Sequence, residues 1–174
     1  GYNCAPGTVY KGVHKLRAAH TLAIENGRVG EPQRYWKAPR HPPLRGSEDD
    51  LAQELRWRIM EAVKRRMVAD VPLGAFLSGG VDSSTVVAMM ATLSTRPVKT
   101  FSIDFPQDAY SEVKYARMVA ERYGTEHHEM TVTANMTDCV KEIVRHHGEP
   151  FADSSSVATY YLAKMTREHI TVSL

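Results

Sequence analysis

The spacing of apolar positions changes along the chain, and each change marks an element. Leu51, Leu55, Ile59, Val63 and Met67 recur every fourth residue, which places them on one helical stripe. Ser47 precedes that stripe as a helix cap, acids follow in the first turn, and Asp70-Val71-Pro72 stops it. A short continuous apolar run, Leu73 to Leu77, then reads as a buried strand, and a second helix is expected from about Ser83 to Leu93. Val98 to Ile103 reads as the next strand. Ser111 begins a helix with Val113, Ala116, Val119, Ala120 and Tyr123 on its inner face, and Gly124 stops it. His127 to Val132 is a third strand, Asn135 to His147 a helix, and Gly148-Glu149-Pro150 a break. Asp153-Ser154-Ser155 caps a helix to about Glu168, and Ile170 to Leu174 is a fourth strand. Upstream, Thr8 to Val13 and His20 to Ile24 are short and β-prone. The Asn26-Gly27 pair within 20–36 predicts a hairpin closed by Arg34-Tyr35-Trp36.

Strands alternating with helices predict an α/β fold, an open parallel sheet with helices on both faces, preceded by the short β-hairpin segment. Three prolines in Ala38-Pro39-Arg40-His41-Pro42-Pro43 predict an extended linker, so residues 1–37, 38–46 and 47–174 are expected to be separate parts. The length of 174 residues suits one ordinary domain, and 43% hydrophobic with 24% charged residues is the composition of a globular protein. A formal charge of +2 with scattered basic residues argues against nucleic acid as a partner. No apolar run approaches the roughly 20 residues of a membrane helix, so no membrane association is expected. Cys4 and Cys139 make no disulfide or metal pattern, which fits a cytoplasmic location.

The candidate chemistry lies between the first buried strand and the helix after it, in Ser78-Gly79-Gly80-Val81-Asp82-Ser83-Ser84. Two glycines let the backbone approach a ligand closely, and the helix start offers unpaired N–H groups and partial positive charge. Asp82 would repel a phosphate unless a cation sat between them, so the stretch suggests phosphate plus metal. The Walker-type loop is excluded because no lysine follows the glycines, and the Gly-x-Gly-x-x-Gly fingerprint is excluded because they are adjacent.

What remains, Ser-Gly-Gly-x-Asp-Ser, resembles the pyrophosphatase loop of enzymes that cleave ATP between its α and β phosphates. The run Val71 to Ser84 resembles the synthetase domain of glutamine-hydrolysing asparagine synthetases. So do Thr100-Phe101-Ser102-Ile103, the segment Ala116 to His128, and Glu149-Pro150-Phe151-Ala152-Asp153-Ser154-Ser155. The stretch from Ala5 to Trp36 looks like the last strands of that family's glutaminase domain. The resemblance implies an adenine nucleotide α-hydrolase-like sheet and an ATP- and Mg²⁺-dependent ligase. It would adenylate the side-chain carboxylate of aspartate, release pyrophosphate, and admit glutamine-derived ammonia. It also implies that Ser78, Gly79, Gly80, Ser83 and Ser84 hold the pyrophosphate part of ATP, that Asp82 binds Mg²⁺, and that the backbone at Leu77 and Ile103 contacts adenine.

Two parts of the family pattern are not in these residues. One is a Ser-Gly-Asp/Glu-Gly-x-Asp-Glu loop expected after Leu174. The other is a terminal glutaminase cysteine, for which internal Cys4 is no substitute, so the catalytic residues are unassigned. The 174 residues are expected to bind nucleotide weakly and not to complete the synthesis. Rival readings are a β-lactam-forming synthetase, an amidotransferase acting on a sugar, and a non-catalytic nucleotide-binding module. The oligomeric state is open, a homodimer included.

Plainer roles stand beside these. Asp82 could be a simple helix cap, and Asp153, Ser154 and Ser155 are most simply another, with a place in the acyl-substrate pocket as the sharper alternative. Asp104 and Asp108 read as surface loop carboxylates near the expected nucleotide. The pairs His127-His128 and His146-His147 do not chelate well, because neighbours in a strand point to opposite faces. Met89 and Met90 are core filler.

Overall fold

The structure is a computed structural model, and it describes residues 2–40, 42, 44–105, 112–132 and 137–174. The chain divides into two compact units, one of residues 1–45 with 140–154 and one of 46–139 with 155–174.

In the first unit, β1 (His20–Thr21) pairs antiparallel with β4 (Gln33–Arg34), and β2 (Ile24–Glu25) pairs with β3 (Arg28–Val29). The turn between β2 and β3 is the expected Asn26-Gly27, with φ of 51° and 75°. Positive φ at both central residues is what a two-residue turn between twisted strands needs. No strand forms over Thr8 to Val13, contrary to its β-prone composition. There the Thr8 hydroxyl, lying 3.0 Å from the Tyr10 carbonyl and 2.8 Å from that of Val13, has its one proton to share between them, and it accepts from the Tyr10 amide (3.0 Å). A local turn thus uses the bonds a ladder would need. Helix α4 (Val140–His147) belongs to this unit and ends at Gly148, whose φ is 71°. Lys15 is hydrogen-bonded to Glu149 and holds that carboxyl below its usual range.

The second unit begins with α1 (Glu48–Arg66), where the Ser47 hydroxyl accepts from the Asp50 amide at 3.1 Å. It continues through β5 (Leu73–Phe76), α2 (Val81–Leu93), β6 (Lys99–Asp104), α3 (Val113–Tyr123), β7 (Glu126–Thr131), α5 (Ser155–Thr166) and β8 (Val172–Ser173). The four strands form one parallel sheet in the order β7-β6-β5-β8. The expected starts at Ser111 and Asn135, and Asp108, lie outside the described residues.

Side-chain alternation sorts the two faces of this sheet. Ala75, Leu77, Thr100 and Ser102 share one face, against which Val87 and Met90 of α2 and Ala116 and Ala120 of α3 pack as the core. Val63 of α1 joins that core, with Ile59 and Met67 beside it. Leu55 is 58% exposed, however, so the helical stripe of α1 is buried only toward its C-terminal end. The opposite face carries Phe101, whose ring stacks on His128 at 5.1 Å, and His128 stacks on His169 at 4.3 Å. Helix α5 contacts β6. His127 meanwhile points to the first face and bonds Thr100 Oγ1 at 2.8 Å, so the two adjacent histidines do part company.

Candidate functional site

Strand β5 delivers the glycine loop to the carboxyl end of the parallel sheet, where α/β folds leave room for ligands. Helix α2 starts earlier than its sequence suggests, at Val81, with Gly80 as its N-cap (φ −68°, ψ 162°). Asp82 is therefore not the cap; it stands exposed in the first turn. The Ser84 amide makes the first intrahelical bond, to the Gly80 carbonyl at 3.0 Å. The amides of Val81, Asp82 and Ser83 precede it and are the unpaired donors a helix start leaves.

The loop is braced from within. Ser78 and Ser83 share a hydroxyl–hydroxyl bond of 2.9 Å, and the Ser78 amide donates to Ser83 Oγ at 3.2 Å. The Gly80 amide donates to Ser78 Oγ, and Ser83 Oγ donates to the Gly80 carbonyl, both at 3.2 Å. Gly79 has φ of 89°, and a Cβ there would stand 2.6 Å from the Glu112 carbonyl oxygen and 2.7 Å from the Ala116 nitrogen. That glycine is needed because the first turn of α3 lies against it. Gly80 is different: a Cβ there would meet only Ser78 Oγ at 3.3 Å and Glu112 Oε2 at 3.9 Å.

A cavity of about 300 Å³ opens at the ends of β5 and β6, walled by Leu77, Ser78, Ser102, Ile103, Asp104 and Glu112 among others. Leu77, Ser78 and Ile103, expected from the sequence, meet here. Ser84 does not: it lines a separate groove among α1, α2 and α3, and its buried hydroxyl finds no partner among the described residues. Gly79 borders that groove as well, while Gly80, Asp82 and Ser83 wall neither space. Asp104 is a wall of the cavity rather than a plain surface carboxylate.

Ser102, Glu112 and Leu162 are among the cavity residues that the sequence did not single out as part of a site. Ser102 had a signal, because a polar residue amid a buried strand needs a partner; its hydroxyl donates to the Leu77 carbonyl. Glu112 borders an expected helix start. Leu162, on α5, comes from far along the chain and carried no signal.

Farther along the sheet, Arg117 of α3 grips Glu129 of β7 with bonds of 2.7–3.0 Å and holds its carboxyl below the usual range. Burial lowers the pKa of neighbouring His127. Among the described residues, no three His, Cys, Asp or Glu side chains are grouped to hold a metal. A hard cation that retains waters and phosphate ligands needs only one or two carboxylates, and exposed Asp82 at the loop meets that lower requirement. No helix among the described residues is long and apolar enough to cross a membrane.

A four-stranded parallel sheet with helices packed on it and a glycine loop at its carboxyl end places the chain among the open-sheet α/β proteins. The chain belongs to the asparagine synthase family, whose model, described as Asparagine synthase, matches residues 54–174. It is 34% identical over its full length to a putative glutamine-hydrolyzing asparagine synthetase 2 of Methanocaldococcus jannaschii, covering 34% of that protein. It is 37% identical to glutamine-hydrolyzing asparagine synthetase 1 of Bacillus subtilis, over 97% of this chain and 27% of that one. Amidase chyE of Penicillium rubens is 30% identical over 90% of this chain and 26% of its own. The chain thus spans 34% and 27% of the lengths of the two synthetases.

Proposed function

We propose that these residues form the ATP-binding part of an amide-forming ligase that adenylates the side-chain carboxylate of aspartate. Pyrophosphate leaves, and glutamine-derived ammonia then forms the amide. The carrying observation is the Ser78–Ser84 loop between β5 and α2, beside a cavity walled by Leu77, Ser78 and Ile103. Family membership supports the same reaction class.

In this reading Ser78, Gly79, Gly80 and Ser83, with the amides at the start of α2, hold the pyrophosphate part of ATP. At Gly80 a Cβ would crowd Ser78 Oγ at 3.3 Å, so a glycine keeps that hydroxyl where it accepts the Gly80 amide. Ser84 is left without a phosphate contact in this reading, because its hydroxyl lines the other groove and its amide donates to the Gly80 carbonyl. Adenine lies against the backbone at Leu77 and Ile103. Asp82 holds Mg²⁺, which would offset phosphate charge. Catalysis then rests on positioning and charge stabilisation. The workplace is the cytoplasm, in keeping with Cys4 and Cys139 being joined in no disulfide.

A second reading keeps the proposed ATP chemistry and applies it to a different carboxylate, since relatives at similar identity carry names other than asparagine synthetase. ATP–pyrophosphate exchange in the complete gene product, assayed against a panel of carboxylic acids, separates the two. Exchange that depends on L-aspartate is expected. Exchange with another acid alone moves the assignment to the second reading, and no exchange with any acid sinks both.

A further inference from the structure

The end of the β5–β6 ladder has an unusual hydrogen-bond pattern. The Leu77 amide donates to the Phe101 carbonyl at 2.8 Å, so the backbone groups of Phe101 face β5. The carbonyls of Val98 and Asp104 accept from Glu126 and Val132, both at 2.9 Å, so those residues face β7. Backbone groups alternate sides along a strand, which turns the N–H and C=O of Ile103 toward β5. The next rung would join the Ile103 amide to the Leu77 carbonyl. That carbonyl instead accepts the hydroxyl of Ser102, a side chain only 2% exposed, and the rung does not form among the described residues. Past Leu77, β5 turns away into the glycine loop. Ile103 is left with a backbone donor and acceptor side by side at the wall of the 300 Å³ cavity.

We propose that Ser102 is a positioning residue for the nucleotide base. By occupying the Leu77 carbonyl it ends the ladder one rung early and leaves the Ile103 N–H and C=O to read a purine edge. That edge carries a ring-nitrogen acceptor beside an amino donor, the pattern of adenine. Guanine in the same pose would set a carbonyl against the carbonyl and an N–H against the N–H, leaving buried polar groups unpaired. Both backbone groups of Leu77 are engaged within the sheet, so Ile103 carries the base selection. The proposal rests on the nucleotide reading above.

The test is equilibrium binding of ATP, of purine riboside triphosphate (which lacks the 6-amino group) and of inorganic pyrophosphate to the protein and two variants. The parent should prefer ATP to the analogue by about tenfold, the worth of one well-made hydrogen bond. Ser102→Ala frees the Leu77 carbonyl to take the Ile103 N–H, the donor to the ring nitrogen, so ATP and the analogue should both bind about tenfold more weakly, with pyrophosphate binding unchanged. Ser102→Thr, which keeps the hydroxyl, should retain the parent's affinity for both. A Ser102→Ala protein that binds ATP as tightly as the parent, or loses pyrophosphate as much as ATP, overturns the proposal. So does a parent with no preference for the 6-amino group, whatever the variants do. A parent that binds neither ATP nor pyrophosphate overturns the nucleotide reading itself.

Discussion

Gly79 and Gly80 are neighbours in one motif, yet different forces act on them. At Gly79 the positive φ and the contact with the α3 backbone both exclude a side chain. Gly79→Ala should lower unfolding stability by about 3 kcal/mol, combining left-handed strain with overpacking. Gly80→Ala has an ordinary φ and should stay within about 1 kcal/mol of the parent. Urea titration of the two variants checks the difference, and equal losses would contradict it. His127 gives a second prediction at this scale. Burial lowers its pKa in the folded state, so between that value and the ordinary 6.5 the unfolded chain binds more protons. Stability from this group is full above about pH 6.5 and is lost as the pH falls toward the folded value. Glu129, also lowered, loses its contribution only at more acid pH, below the ordinary 4.5. Urea midpoints should therefore drop between pH 7.5 and 5.5 in the parent and drop less in His127→Gln.

Among the elements, α1 shows how local signals and packing divide the work. Ser47 caps the helix, Glu48, Asp49 and Asp50 fill its first turn, and Lys64, Arg65 and Arg66 its last, so both ends suit the helix dipole. Ser47→Ala should cost about 1 kcal/mol in thermal or urea unfolding. A change below a few tenths would mean the cap is replaced by water. The apolar stripe of α1 marked the helix but overstated its burial, since Leu55 remains exposed and Val63 is the only buried residue of the helix. Periodicity reports a face, and only the neighbouring elements decide how much of it is covered. The same gap explains Thr8 to Val13, where β-prone residues form a turn because a threonine hydroxyl reached the backbone first.

For the molecule as a whole, the strand order β7-β6-β5-β8 sends the chain outward from β5 on one side and returns it on the other. This is the kind of switch point where ligands settle in open α/β sheets. Nucleotide binding should therefore stabilise the fold, by about 2.7 kcal/mol at a hundredfold excess over Kd. With the described acids not grouped into a metal site, adding EDTA should leave the melting temperature without nucleotide unchanged while shrinking the rise produced by ATP. A melting temperature that falls on EDTA alone would point to a structural metal instead.

The alternation of strand and helix, the capping serine, the Asn26-Gly27 turn and the glycine loop were all legible in the sequence. Each depends on the dihedral freedom or side-chain reach of a few neighbouring residues. The tertiary structure decided which of the loop's groups face the cavity. It turned Ser84 toward a different groove, set α3 against Gly79, and brought Leu162 and Glu112 to the cavity wall. It also joined Ser102 to Leu77 across two strands. Such pairings follow from the register of a parallel sheet, which links residues twenty-five apart through contacts that no local pattern encodes.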